Sequence, residues 1–442
     1  MSQPFGSRHG HHLSLGLREH PQRSALLGEV HARPFHPVRP PVLVTHLAML
    51  RTSAEDLQEE HRQVADWCRQ EGLPPPAPDV GHFLAELGPV RLRWERHTEF
   101  STYTFLADRE ADDASVAHAI DLAPRERVSR LPGELLAATH LSLTEASDPE
   151  QDRREMRERF HEASLVGCVC AGGAAAVWTD FRADRDGFTV LMAKDHHMNP
   201  HQAGRLLQRL LEIETYRMMA LLAFPLAREV TPQIADMEQE LGALTEHLSG
   251  SHDADDEREL LDQISRLASR IEQLMARTNF RFSAAKAYAT VMRRRITFLR
   301  EERVEGMQTL SEFMDRRMGP AMDTCESAYD RLDRLSKRVS RAANLLRTRV
   351  DVALEAQNRD LLKSMNRRAR LQLRLQQTVE GLSVVILSYY TVSLVGYAAK
   401  AVQASGVPLP VDLIRGLAIP LVLLLVGGGV WRARRQVTRE ET

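Results

Sequence analysis

Two uncharged apolar stretches close this chain and restrict it more than anything upstream. Residues 381–399 run nineteen positions between Glu380 and Lys400, and residues 416–431 run sixteen between Arg415 and Arg432. A bilayer core takes about 20 apolar residues as helix, so the first stretch predicts a membrane span. The second is short, but Val411, Leu413 and Ile414 extend it into a second span. Arg367, Arg368, Arg370 and Arg374 precede the first stretch, while Arg432, Arg434, Arg435 and Arg439 follow the second. The loop between them holds only Lys400, Asp412 and Arg415. Basic residues are retained on the cytoplasmic side, which predicts a hairpin with both ends in the cytoplasm and a short outward loop. Residues 1–16 are polar and His-rich with no apolar secretory core, so the upstream bulk is expected in the cytoplasm as well.

A length of 442 residues leaves room for two or three domains. Charged residues make up 27% and nearly cancel, for a formal net charge of -2. A general nucleic-acid-binding surface needs a basic excess, and none is present. Cys68, Cys168, Cys170 and Cys325 include no C-x-x-C pair. Cys168 and Cys170 share a strand face, yet a zinc site needs more ligands at suitable spacing, and reduced cytosolic thiols are expected.

Residues 1–19, with His9, His11 and His12, read as a disordered tail, and residues 20–198 as a mixed domain. A β-branched run at 42–50 follows Pro40-Pro41 and predicts a strand. Ser53-Ala54-Glu55-Asp56 reads as a capping box opening a helix to about Gln70. Strands are expected at 82–87, 90–97 and 99–106, and again at 135–143, 163–170, 174–180 and 187–193. Many strands with few helices predict an α+β domain. Asn199-Pro200 is a helix start, and residues 199–380 read as helical. Residues 206–224 are apolar nearly all round, the mark of a buried helix. A polar turn at 249–256 separates two charged helices of an antiparallel hairpin, and a further helix is expected over 283–318.

From 321 to 399 there is no proline, which predicts roughly 120 Å of helix entering the membrane. Leu332, Leu335, Val339, Ala342, Leu346, Val350, Leu354 and Leu361 form a stripe whose period relaxes from heptad toward hendecad. Such a coiled-coil stalk needs partner helices, from its own chain or from other copies in a homo-oligomer. The hairpin (381–431) and a basic tail (432–442) complete the chain.

Three polar clusters bear on chemistry. Glu29, His31 and Arg33 share one face of an extended segment, with His46 shortly after. They fit an anion or metal site, and equally a charge-paired bridge between strands. In the strand around 91–99, Glu95, His97 and Glu99 point with Arg91 and Arg93, opposite Leu92 and Trp94. Two carboxylates around an imidazole resemble a ligand set, and an alternating-sign solvated face reads the same way. Asp195, His196, His197 and His201 straddle a helix start and do not share a face. Glu212, Glu214 and Arg217 lie on the apolar helix, where a structural ion pair is the simpler account. No phosphate-binding loop, nucleophile elbow, H-E-x-x-H or dinucleotide fingerprint is present. The chain is therefore expected not to be an enzyme, and no cofactor is implied. In the first span, Ser383, Tyr390, Ser393 and Tyr397 form a semi-polar stripe. Hydroxyls in a bilayer face protein or water, so Tyr390, Ser393 and Tyr397 are candidates to line a pore in an oligomer or to pack a hairpin.

The segments GEVHARP (28–34), RWERHTEFSTYTF (93–105), QRLLEIETYRMMALLAFPLARE (208–229) and LEAQNRDLLKSMNRRARLQLRLQQTVEGLSVVILSYYTVSLVGY (354–397) resemble the bacterial proteins grouped as domain of unknown function family 3422. The resemblance spans nearly the whole chain. It implies a membrane-anchored protein, here at the bacterial inner membrane, and carries no catalytic residues. The order of parts also looks like CorA-type cation channels. Those channels carry Gly-Met-Asn where this chain has Gly396-Tyr397-Ala398, and its loop is basic rather than acidic.

Overall fold

The structure, a computed structural model, describes residues 20–23, 26–27, 35–78, 80–108, 117–161, 164–250, 254–404 and 410–440. Among these the chain forms two compact units, 1–247 with 263–342, and 248–262 with 343–442.

The first unit is built on a nine-stranded sheet in the order β2-β3-β4-β1-β5-β8-β7-β6-β9. Its strands are β1 (Val42–Leu50), β2 (His82–Leu87), β3 (Val90–Arg96), β4 (Phe100–Asp108), β5 (Glu134–Glu145), β6 (Val166–Cys170), β7 (Ala175–Ala183), β8 (Thr189–Asp195) and β9 (Glu302–Arg303). β5 and β8 pair in parallel and the other neighbours antiparallel. The α+β reading of the sequence therefore holds, with strand positions close to those expected.

β1 lies between β4 and β5, and all of its residues but Leu50 are buried. A strand covered on both faces is apolar on both, and its two residue sets meet different helices. Leu43, Leu47 and Met49 join Leu92, Trp94, Tyr103 and Phe105 under Val64, Trp67 and Cys68 of α1 (Ala54–Gln70). Ala48, Phe100 and Ala137 instead meet Met219 of α4 (Pro200–Leu221). Ser53 caps α1 through a reciprocal pair with Asp56, and Asn199 caps α4 with Gln202 while Pro200 takes the first turn. Both starts were legible. Two short helices were not foreseen: α2 (Arg125–Val128) and α3 (Pro149–Arg159). The start signal of α3 is plain in retrospect. Asp148 accepts from the Glu150 and Gln151 amides, with Pro149 next. Its only buried apolar residue is Met156, so it has almost no apolar stripe to read.

The helix expected over 283–318 is not continuous. α6 (Ala254–Leu299) stops at Arg300, whose φ is 52°. Glu302 and Arg303 add β9 to the edge of β6, and Gly306 (φ 76°) turns the chain into α7 (Leu310–Arg317). The Glu301 carboxylate accepts from the Leu310 and Ser311 amides at 2.8 and 3.1 Å. Strand pairing and a doubly capped helix start outweigh helix propensity, which is weak wherever tertiary contacts compete.

α5 (Ala223–Gly250) and α6 run antiparallel, since Glu240 meets Arg270 and Glu229 meets Arg277, each at 2.8 Å. The start of α8 (Gly319–Ala404) packs on both: Arg331 bonds Glu238 at 2.7 Å, Lys286 bonds Glu326 at 2.8 Å, and Ser336 bonds Glu272 at 3.0 Å. Leu332, Leu335 and Val339 are buried there, so this part of the stripe finds its partners within its own chain. α8 continues unbroken through Arg347–Arg349. In the second unit Leu346 is buried, whereas Leu354 and Leu361 are 39% and 59% exposed. Val350 is half-buried, and beyond it the apolar stripe lies exposed at Leu354 and Leu361.

α9 (Val411–Glu440) follows. A window of α8 and residues Val411–Arg432 are long and apolar enough to cross a membrane, and most of each window is exposed. Ser388, Ala399, Val411 and Val422 are buried, and the Arg415 side chain lies against Gly396.

Gly204, in the first turns of α4, has no room for a side chain because a Cβ would strike the carbonyl of His36. Gly204→Ala is expected to push the 36–38 segment off α4 and destabilise the sheet domain by about 1–3 kcal/mol, read as a lower midpoint in urea by tryptophan fluorescence.

Candidate functional site

The α4-facing side of the sheet carries a polar cavity of about 150 Å³. β1 supplies His46, β3 supplies Glu95, β4 supplies Phe100 and Thr102, and the β3–β4 turn supplies His97. Phe35 closes one side. From α4 come Gln208, Glu212, Thr215 and Tyr216, which share a face because positions three and four apart align. Arg295 of α6 completes the lining. Glu95 and Thr102 are direct cross-strand partners, as are His46 and Thr104 across β1–β4.

Three residues singled out in the sequence, His46, Glu95 and His97, thus meet in one place. Glu99 does not line the cavity and instead pairs with Arg281 at 2.6 Å. Glu29, His31 and Arg33 lie outside the described residues, as does the tail with its three histidines. Both carboxylates of α4 are held in ion pairs, though by different arginines. Glu214 is bound by Arg217 at 2.8 Å and by the Thr189 hydroxyl at 2.9 Å, but Glu212 pairs with Arg295 at the cavity. Gln208 and Thr102 escaped sequence reasoning. A lone amide on an apolar helix and one threonine in a strand carry no signal until the two elements are docked.

His46 is a satisfied core histidine. Its Nδ1 lies 2.8 Å from the Thr104 hydroxyl and its Nε2 3.0 Å from that of Thr215. Thr215 donates its own proton to the Leu211 carbonyl at 2.9 Å, so Nε2–H must be the donor to Thr215 and Nδ1 the acceptor from Thr104. Burial, reinforced by the charge of Arg93, pushes the imidazole down to about 3. His46 therefore holds sheet and helix together in the neutral state and has no free nitrogen for acid–base work. His97 stacks on Phe100 with ring centroids 4.3 Å apart. Glu95 accepts from Arg93 at 2.7 Å.

The remaining clusters carry less. His196 Nδ1 lies 3.0 Å from the Gly173 carbonyl, and Asp195 accepts from the Met198 amide at 2.7 Å, so both serve the turn into α4. Burial raises the Cys168 thiol and lifts Cys170 to about 12, which leaves both protonated and unreactive. Among the described residues, no three His, Cys, Asp or Glu side chains gather where a metal ion could sit.

In the apolar C-terminal helices, Tyr390 and Tyr397 are 62% and 68% exposed. The Ser383 and Ser393 hydroxyls donate to the Val379 and Tyr389 carbonyls of their own helix, at 2.8 and 2.9 Å.

The described parts are a sheet domain with a small polar cavity and, toward the C-terminus, two helices long and apolar enough to cross a membrane. Residues 18–437 match the model of the family described as protein of unknown function (DUF3422), and the chain belongs to that family. No curated protein and no solved structure matches it.

His46 also sets a pH dependence. Its ordinary value near 6.5 applies when unfolded, and the folded value is about 3. As pH falls below 6.5 the unfolded chain takes up the proton first, so stability is complete above that pH and declines down to about 3, by about 1.4 kcal/mol per pH unit. His140, stacked between His118 and Phe188 at 3.6 and 3.9 Å, is lowered to about 4 and adds in the same direction. Urea midpoints measured from pH 7 to 4.5 should fall for the native chain and fall less steeply for His46→Gln.

Proposed function

We propose that the protein is a membrane-tethered receptor whose sheet domain binds a small polar ligand in the cavity between β1, β3, β4 and α4. The observation that carries this is the convergence of polar side chains from five separate elements on one small cavity. Concave sites with a few convergent polar groups are where small molecules bind. The tether is the pair of apolar helices, whose exposed surfaces would be costly in water. Flanking arginines support insertion in the bacterial inner membrane with both termini cytoplasmic. The exposed leucines of α8 beyond Leu346 support a homo-oligomer. Copies anchored at the same end are parallel, so identical seams can meet.

A CorA-like channel is the second reading. It rests on Tyr390 and Tyr397, which are exposed, and Ser393, which is half-buried, as groups available to an oligomer axis. Two observations weigh against it. Ser393 already spends its proton on its own helix, and Arg415 sets a positive charge beside Gly396 near the outer end of the hairpin.

Fractionation is expected to leave the protein in the pellet after an alkaline wash and release it with detergent. Replacing residues 381–431 with an unrelated two-span hairpin should preserve ligand-dependent thermal stabilisation of the head. Reconstituted wild type should pass no ion faster than empty liposomes. Flux that vanishes on the swap would establish the channel instead.

A further inference from the structure

Two uncharged buried side chains on the cavity wall each have an oxygen without a hydrogen-bond partner, and they define what the cavity accepts. Gln208 is 9% exposed and its Oε1 has no partner, while its Nε2 donates to Glu212 at 2.8 Å. That donation fixes the amide orientation, since flipping it would set Oε1 against a carboxylate. The open atom is therefore an acceptor. Thr102 is 3% exposed and its Oγ1 likewise has no partner. Glu95, 7% exposed and directly across the sheet from Thr102, accepts from Arg93 through one carboxylate oxygen and lines the same space. Buried polar atoms left open cost roughly 1–3 kcal/mol each, and native structures leave few of them without cause.

The charges around the space are paired. Glu95 faces Arg93, and Glu212 faces Arg295, the most exposed of the four. Arg295 Nε lies against Glu212 as an ion pair, and what remains open in the buried wall is a carbonyl oxygen and a hydroxyl, beside the Glu95 carboxylate. That set calls for a ligand rich in N–H donors. Phe100 and Tyr216 offer ring surface to a short carbon skeleton. A volume of about 150 Å³ is below the roughly 300–1,000 Å³ of drug-sized sites, which excludes nucleotides and peptides.

We propose that the cavity is a binding site for a small ammonium-bearing molecule, with the ammonium held by Gln208 Oε1, the Thr102 hydroxyl and the Glu95 carboxylate. This rests on the ligand-binding reading of the head and names the chemistry of that site.

The test uses the intact protein in detergent and three probes of matched size: ethanolamine, ethylene glycol and glycolate, at equal ionic strength. Ethanolamine is expected to raise the melting temperature by several degrees and to give a saturable calorimetric isotherm. Thr102→Val and Gln208→Met, which preserve shape, should fold with native near-ultraviolet circular dichroism and bind it at least tenfold more weakly. Ethanolamine binding equally well to both variants overturns the proposal, because the site would lie elsewhere. Glycolate or ethylene glycol binding in its place, with loss in the variants, overturns the ammonium class and leaves the receptor reading standing. No binding of any probe, with Thr102→Val simply more stable, overturns both, since the cavity would then hold only water.

Discussion

Strand β1 is the element on which the sheet domain depends. It is hydrogen-bonded to β4 and β5 and covered on both faces, so its alternation divides the protein into two interiors. One residue set is wholly apolar where it meets α1, apart from Thr45, whose hydroxyl accepts from Ile120 N and contacts His140. The other places His46 among Val42, Val44 and Ala48. A one-residue slip of β1 would exchange those sets, carrying the imidazole into the α1 core and Leu47 to the polar cavity. The hydrogen bonds of His46 to Thr104 and Thr215 therefore act as a register lock as well as a contact.

The same lock explains why a cavity exists beside it. α4 is held to the sheet at Thr215 by His46 and at Glu214 by Thr189. Between them and Arg295 the side chains are polar, and paired charges cannot collapse onto one another as methyl groups can. Glu95 and Glu212 each carry their own guanidinium partner, which keeps them apart. Packing that would otherwise close the space is traded for hydrogen-bonding groups facing inward, and Gln208 and Thr102 are left with open capacity.

Much of this fold was legible because its signals are local. Ser53 with Asp56, Asn199 with Pro200, and the strand run at 42–50 each state their structure within a few residues, and the structure agrees. The break after Leu299 was not legible, because its cause is distant. β9 forms on β6, more than a hundred residues earlier, and Glu301 acts through the start of α7. Of the candidate site, the charged residues of β3 stood out by composition, but Glu99 was grouped with them only by proximity in sequence. The hairpin at 97–100 turns it away to Arg281.

What the sequence determined by itself is whatever depends on near neighbours: helix caps, strand alternation, two apolar segments long enough for lipid, and family membership through long contiguous motifs. These follow from backbone geometry and transfer energy, which a few adjacent residues dictate. Only the tertiary structure decided that His46 is a neutral tie rather than a reactive base. It alone brought Gln208 of α4 over Thr102 of β4, and it showed the leucine stripe of α8 half covered by its own chain. Each of these is fixed by which surfaces meet across long separations, and burial, not residue type, then determines whether a polar group is satisfied, neutralised or left open.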